Sequence, residues 1–341
     1  MIGLPGSGRS TVFQALTGSK PEEWGKKAPL IGTVCVPDER VEELTKLFKP
    51  KKTVYVHLEY ILPWGAATQT KDRKENEGLW SEVRPCDALV HVVRNFSLPG
   101  ADAPHPQEDL LSLESDMVFA DLVVVEKRME RMELDRKRGK EINHEERGLL
   151  ETCRKVLEDE RPLRDDPELA AAPLLRGYTF LSAKPALIVY NNDDEDEDYP
   201  PGYDSSALTK AVVVRGKLET ELAELSPEEA EEFLEAYHVK GLAADRVVRQ
   251  SCDLLDLISF FTVVHDEVRC WMIPRGTKAL DGAGVIHSDM KKGFIRAEVL
   301  AFDDLITAGS YQDAKKEAKV HLEGKEYVVQ DGDVIYFRFN V

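Results

Sequence analysis

The sequence predicts an α/β protein: a mainly parallel sheet carrying an inserted antiparallel helical hairpin, followed by a smaller mixed β-sheet. Three observations point there. The chain opens on a glycine-rich turn running straight into a helical pattern, with Gly18 placed to stop the helix. Continuously apolar runs of strand length recur at 88–93, 186–190 and 211–214, as strands buried on both faces require. Between the first two of these runs, the apolar spacing over 109–178 changes to threes and fours, the period of an amphipathic helix.

The opening segment reads Gly3, Leu4, Pro5, Gly6, Ser7, Gly8, Arg9, Ser10, Thr11. That spacing is a P-loop with arginine where lysine is usual: the glycines let backbone amides turn inward around phosphate oxygens, and the next helix points its positive end at them. Candidate phosphate-binding residues are Gly3, Gly6, Ser7, Gly8, Arg9, Ser10 and Thr11, with Ser10 also the candidate Mg²⁺ ligand. Arg9 keeps the charge, but its planar fork on a longer stem cannot enter the loop as a compact ammonium does. The competing reading is a glycine-rich turn opening an ordinary helix. Only Met1 and Ile2 precede Gly3, so either the start was assigned late or the sheet lacks its first strand.

Further elements follow in order. Residues 53–61 read as β structure. Val118, Leu122, Val125, Met129 and Met132 form one helical stripe, Gly139 and Asn143 bracket a turn, and Ile142, Leu149, Cys153 and Val156 resume the stripe. The methionines fall on it and read as seam packing. After 211–214 comes an acidic helix over 219–235. From 259 onward, 268–273 and 294–300 read as strands, 310–317 as a short helix, and 327–329 with 334–339 as a hairpin about Asp331-Gly332. Alternation in the last run makes Tyr336, Phe337 and Phe339 one core face with its flank, not a base-stacking platform.

Composition narrows the class. With 341 residues, 42% hydrophobic and 32% charged, the chain is long enough for two or three globular domains. Apolar runs are too short for a membrane span and the N-terminus lacks an export pattern, so a cytoplasmic location is expected. Five scattered cysteines show neither metal spacing nor a disulfide framework. A net charge of −18 argues against a broad nucleic-acid surface, and no DNA partner is expected. From 259 onward, however, eleven lysines and arginines face thirteen acids, and Arg136, Lys137, Arg138 and Lys140 cluster at the hairpin tip. These two regions could approach RNA.

Beyond the loop, Val36-Pro-Asp-Glu-Arg40, Asp87 to Arg94, Val125-Glu-Lys-Arg128 and 216–225 resemble the Obg-like ATPase family, also called YchF. The tail is more specific: 284–289, 293–299, 328–334 and 337–341 are close to that family's C-terminal pattern. The resemblance implies a discontinuous nucleotide-binding domain (1–108 and 179–257), a helical hairpin insertion (109–178) and a β-grasp TGS-like domain (258–341). It also implies binding of ATP or GTP with Mg²⁺, hydrolysis, and association with the ribosome or ribosomal RNA.

Carried over position by position, the resemblance fails where metal chemistry should sit. The family's Asp-x-x-Gly motif falls on Leu62-Pro63-Trp64-Gly65, and a leucine cannot hold a metal. The stretch 21–29, which should supply a metal-binding threonine, has no serine or threonine. The family's catalytic histidine has its nearest counterpart in His105, out of register and read as an ordinary loop residue. Its base-recognition motif corresponds to Asn191-Asn192-Asp193-Asp194, making Asn191 and Asp194 the candidate base-binding pair. The six carboxylates of 193–198 disfavour an anion unless the run bends into solvent, which is the reading adopted for 195–198. Such losses fall on hydrolysis more than on binding. A weak nucleotide binder with slow or absent turnover is therefore expected; the alternative is a nucleotide-free adaptor using the hairpin and the C-terminal domain.

Overall fold

The computed structural model describes residues 1–20, 28–64, 73–202, 209–223, 225, 226, 229, 242–264 and 266–340. The chain divides into two compact units, Met1–Thr33 with Glu59–Leu254, and Val34–Leu58 with Leu255–Val341.

In the first unit, β4 (Leu89–Asn95), β5 (Ala186–Asn192) and β6 (Thr209–Val214) form a parallel sheet in that order. Every residue of β5 is buried, which is why its sequence is a continuous apolar run and not an alternating one. A second strand pair joins β1 (Leu30–Cys35) to β3 (His57–Leu62). Met1 and Ile2 lie between β3 and β4. The Met1 amino group donates to the Ile61 carbonyl, while Ile2 N–H donates to Val90 and the Ile2 carbonyl accepts from Val92, both at 2.8 Å. Ile2 thus forms a parallel bridge with His91, and two residues occupy the strand position from which the glycine loop departs.

The hairpin consists of α4 (Pro106–Lys137) and α5 (His144–Glu158). Pro106 sits in the first turn of α4, where its missing N–H costs nothing, and the Asn143 side chain accepts from the amides of Glu145 and Glu146 at the start of α5. Between them, Gly139 has φ +74°, the left-handed turn expected of it. The seam buries Val118, Val125, Met132, Leu150, Cys153 and Leu157, with Met129 packed against it. Leu113 and Met117, on the first turns of α4, instead bury against Leu89 and Leu181 beside the sheet. One helix therefore serves two cores.

Asp121 of α4 ties the hairpin down. Its fully buried carboxylate accepts from the amides of Leu181 (3.0 Å) and Ser182 (2.7 Å) and from the Ser182 hydroxyl (2.8 Å), and Arg84 pairs with it at 3.1 Å. Burial nevertheless raises its pKa above the ordinary carboxylate value, against the pull of those donors.

The second unit is a six-stranded sheet in the order β10 (His321–Glu323), β9 (Phe294–Ala301), β11 (Asp333–Phe339), β7 (Leu257–Val264), β8 (Glu267–Pro274), β2 (Lys52–Val54). It is buried on both faces. Phe260 and Ile335 pack with Ala279 and Ala283 of α9 (Ala279–Ile286) on one side, while their neighbours Phe261 and Val334 join Val41 and Leu44 of α2 (Glu39–Phe48) and Leu305 on the other. Adjacent strand residues point to opposite faces, so the paired apolar residues fill two cores.

Two expectations are corrected, and the helix expected over 219–235 is described only in part. Residues 34–58, assigned from sequence to the nucleotide domain, pack with 255–341: β2 pairs in parallel with β8, and Val41 and Leu44 of α2 are fully buried there. The run 327–329 does not form a hairpin arm with β11, which pairs with β7 and β9 instead. Asp331 and Gly332 turn the chain against Ser259, whose amide donates to Asp331 at 2.9 Å and whose carbonyl accepts from Gly332 at 2.9 Å. The acidic helix is α7 (Gly216–Ala223), and 230–241 lie outside the described residues.

Replacing Asp121 with alanine should destabilise the protein by about 3–5 kcal/mol, because Arg84 and two amides lose a buried acceptor. Asp121→Asn keeps the shape and should cost about 1–3 kcal/mol. Urea denaturation followed by circular dichroism distinguishes the two; equal, sub-kcal losses would contradict this assignment.

Candidate functional site

The loop leaves the sheet at Ile2 and enters α1 (Arg9–Thr17). Gly6 and Gly8 have φ of +78° and +84°, left-handed conformations that side-chain-bearing residues adopt at a cost. At Gly8 space forbids a side chain as well, since a Cβ would stand 2.2 Å from Asn191 Nδ2. Gly3 is held by proximity: a Cβ there would meet the Val92 carbonyl oxygen at 2.3 Å. Gly8 caps α1, whose first turn carries no acidic side chain, so the amides without intrahelical partners leave a positive helix end uncompensated.

Asn191, at the end of β5, holds this loop in place. Its Nδ2 donates to the Ser7 carbonyl at 3.1 Å, and its Oδ1 accepts from the Gly216 amide at 3.0 Å. The side chain is buried, and these contacts join β5, the loop and the start of α7 through one amide. The residue predicted as a base donor thus serves as a loop clamp, with one Nδ2 hydrogen outside these contacts. Asp194 is engaged otherwise. Its Oδ1 accepts from the Leu218 amide at 3.2 Å and its Oδ2 lies 3.5 Å from Lys217 Nζ, which places it as a cap on the first turn of α7.

Inside the loop two groups lack partners. The Ser7 hydroxyl, on a residue 2% exposed, makes no hydrogen bond. Arg9, 7% exposed, forms no ion pair among the described residues, and burial pushes its guanidinium down to about 10. It stays protonated at neutral pH, so the loop contains a buried cation without a counter-charge among the described residues. Ser10 is exposed and Thr11 half-buried at the head of α1.

Leu62 is buried at the end of β3, and Trp64 is half-exposed with its amide donated to Glu82 at 2.8 Å. Gly65 and 21–27 lie outside the described residues. His105 is exposed, preceding α4 without a capping bond. Among the described residues no group of three or more His, Cys, Asp or Glu is arranged to hold a metal, and no helix is long and apolar enough to cross a membrane.

The acidic run does not crowd the loop. Asn192 Nδ2 donates to the carbonyls of Asp196 (3.2 Å) and Asp198 (2.9 Å), bending the segment back on itself, and Glu195, Glu197 and Asp198 are exposed. Sequence reasoning missed Asn192 in this role and also the Gly216 amide. A second asparagine directly before a carboxylate run was the available signal, since asparagine closes such turns through its own side chain.

Comparison with known proteins covers the whole chain. The family model YchF-GTPase_C, described as a protein of unknown function (DUF933), matches residues 257–340. A curated protein of Bacillus subtilis (strain 168), the ribosome-binding ATPase YchF, is 37% identical over 364 aligned positions that span 100% of this chain and 98% of that one. Its namesake from Escherichia coli O157:H7 is 33% identical over 360 positions, again covering 100% and 98%. Among solved structures, the Schizosaccharomyces pombe YchF GTPase superposes with a TM-score of 0.81 at 26% identity, covering 99% of this chain and 96% of that one.

Gly8→Ala should lower stability by about 1–3 kcal/mol, because both the backbone and Asn191 oppose it. Gly6→Ala meets nothing within 4 Å and should cost only about 1 kcal/mol, the backbone term alone. Denaturant midpoints of both variants measure this ordering.

Proposed function

The chain belongs to the YchF family, and on that basis we propose that it binds a purine nucleoside triphosphate, ATP or GTP, in the loop 3–11, associates with ribosomes, and hydrolyses the β–γ bond slowly or not at all. The observation that carries the nucleotide reading is Arg9, a buried guanidinium with no carboxylate opposite it among the described residues. A desolvated cation of this kind costs several kcal/mol unless a counter-charge reaches it. Phosphate supplies that charge and offers oxygens to the fork of the guanidinium and to the α1 amides.

Among the described residues Mg²⁺ finds few protein ligands. Ser10 offers one exposed hydroxyl, Leu62 stands where the family's carboxylate would be, and the cation requires several oxygen ligands in near-octahedral array. No step is therefore assigned to a metal here. Phosphoryl transfer rests on positioned charge at the leaving and transferring phosphates. With one arginine and the amides as its sources, this site favours holding a triphosphate over splitting it.

Ribosome association rests on the relatives named for it and on the hairpin tip. At the tip Arg136 pairs with Glu133 and Lys140 with Asp135, each at 2.8 Å, whereas Lys137 and Arg138 form no ion pair among the described residues. Both are exposed at the end of α4 and are assigned here to contact ribosomal RNA. A cytoplasmic location and a TGS-like role for residues 258–341 follow from the same reading.

Calorimetric titration with ATP and with GTP tests the nucleotide assignment. Binding is expected to be weakened at least tenfold by Arg9→Ser and changed by less than roughly threefold when Mg²⁺ is removed, one tenfold step being about 1.4 kcal/mol. Absence of heat for both nucleotides would favour a nucleotide-free adaptor. Co-sedimentation with ribosomes should weaken for the Lys137→Ala/Arg138→Ala variant, with the salt dependence falling by roughly one unit of slope per lost phosphate contact. An unchanged profile would remove the tip from the interface.

A further inference from the structure

The first unit contains a second concentration of positive charge that the phosphate loop does not use. A pocket of about 280 Å³ opens beside the outer margin of β6 and against α8 (Ala243–Leu254), lined by Arg215, Arg246, Arg249, Gln250, Tyr199 and Glu197 among others. Its volume matches the lower end of small-molecule sites. Three guanidinium groups converging in a chain of net charge −18 run against the overall field.

The arginines are set in place by the fold. Arg215, its side chain 8% exposed, follows β6 directly; it donates to the Asp194 carbonyl at 3.3 Å and pairs with Glu197 at 3.0 Å. Arg246 donates to the Val213 carbonyl at 3.1 Å, and the Tyr199 hydroxyl donates to the Ala211 carbonyl at 3.2 Å. Two edge carbonyls of β6 thus orient an arginine and an aromatic ring at the pocket wall. Arg249 is exposed one turn further along α8 and has no ion pair among the described residues.

Glu219 and Glu197 both act on these cations, and Asp245 lies within electrostatic range of Glu219. Glu219 is buried, accepts the Ala243 amide at 2.9 Å, and lies within electrostatic range of Arg215 and Arg246. Glu197 is 64% exposed and hangs on a surface loop, so it can turn outward at little cost. The lining itself sets the three guanidinium groups of Arg215, Arg246 and Arg249 against the one carboxylate of Glu197, a surplus of two positive charges. That is the charge of a phosphate monoester dianion, and arginine forks match its oxygens better than they match a halide or a lone carboxylate.

We propose that this pocket is an anion site for a small phosphate-bearing molecule, separate from the loop 3–11, with Arg215 and Arg246 as its fixed floor, Arg249 as its accessible clamp and Glu197 as the side chain the ligand displaces. It does not depend on nucleotide binding at the loop.

Inorganic pyrophosphate titrated calorimetrically into the full chain tests this, because Arg249 and Glu197 are exposed and can be changed without touching the core. Arg9→Ser removes the contribution of the loop, and in that background binding is expected to persist. Added to it, Arg249→Glu should lower the remaining affinity at least tenfold, and Glu197→Gln should raise it at least threefold. Binding that vanishes with Arg9→Ser alone, or that ignores both Arg249→Glu and Glu197→Gln, would overturn the proposal. Loss of the loop site in the unaltered chain, with the Arg249-dependent site intact, would instead count against the nucleotide assignment and leave this one standing.

Discussion

The Asn191 amide is the constraint on which the candidate site depends. A carboxamide carries a donor and an acceptor on one rigid plane, and here they reach a loop carbonyl and a helix-start amide that are far apart in sequence. Gly8 has no side chain because the nitrogen of that amide fills the space. The left-handed backbone, the close approach and the buried polar bonds support one another, so the loop is held in one conformation by its own contacts. Aspartate in place of Asn191 could accept from Gly216 but would turn a charged oxygen toward the Ser7 carbonyl.

Those contacts also explain how a poorly satisfied group persists nearby. Arg9 and the Ser7 hydroxyl sit in a region whose backbone is fixed by other bonds, so the local cost of leaving them without partners among the described residues is borne by the surrounding sheet. Binding and hydrolysis make different demands on such a site. Amides and a cation suffice to hold phosphates, whereas splitting them needs charge placed where it develops in the transition state. On the proposed reading, leucine at position 62 takes away a source of the second kind and none of the first.

Much of the fold was legible because the responsible forces act locally. The apolar continuity of 186–190 reported a strand covered on both faces, and the stripe from Val118 to Met132 reported the hairpin seam to within a residue. Gly6 and Gly8 were legible as turns from the phosphate-loop spacing alone. Illegible were the long-range choices. Nothing in the amphipathic pattern of α2 says which sheet its Val41 and Leu44 will meet, and Asp331-Gly332 has the chemistry of a hairpin turn while its partner proves to be Ser259. Asp194 shows the same limit at the site: a carboxylate following a strand suits a base or a helix start equally well, and its contacts with Leu218 and Lys217 at the start of α7 could not be read from sequence.

The excursion of residues 34–58 into the company of 255–341 has a genetic consequence. Neither unit is encoded by one uninterrupted stretch, since the backbone passes between them at 33/34, 58/59 and 254/255. A recombination event that exchanged everything after 254 would strand α2 and β2 without the strands and apolar side chains they were selected to meet. Residues 34–58 and the stretch after 254 must therefore be inherited together, whatever lies between them.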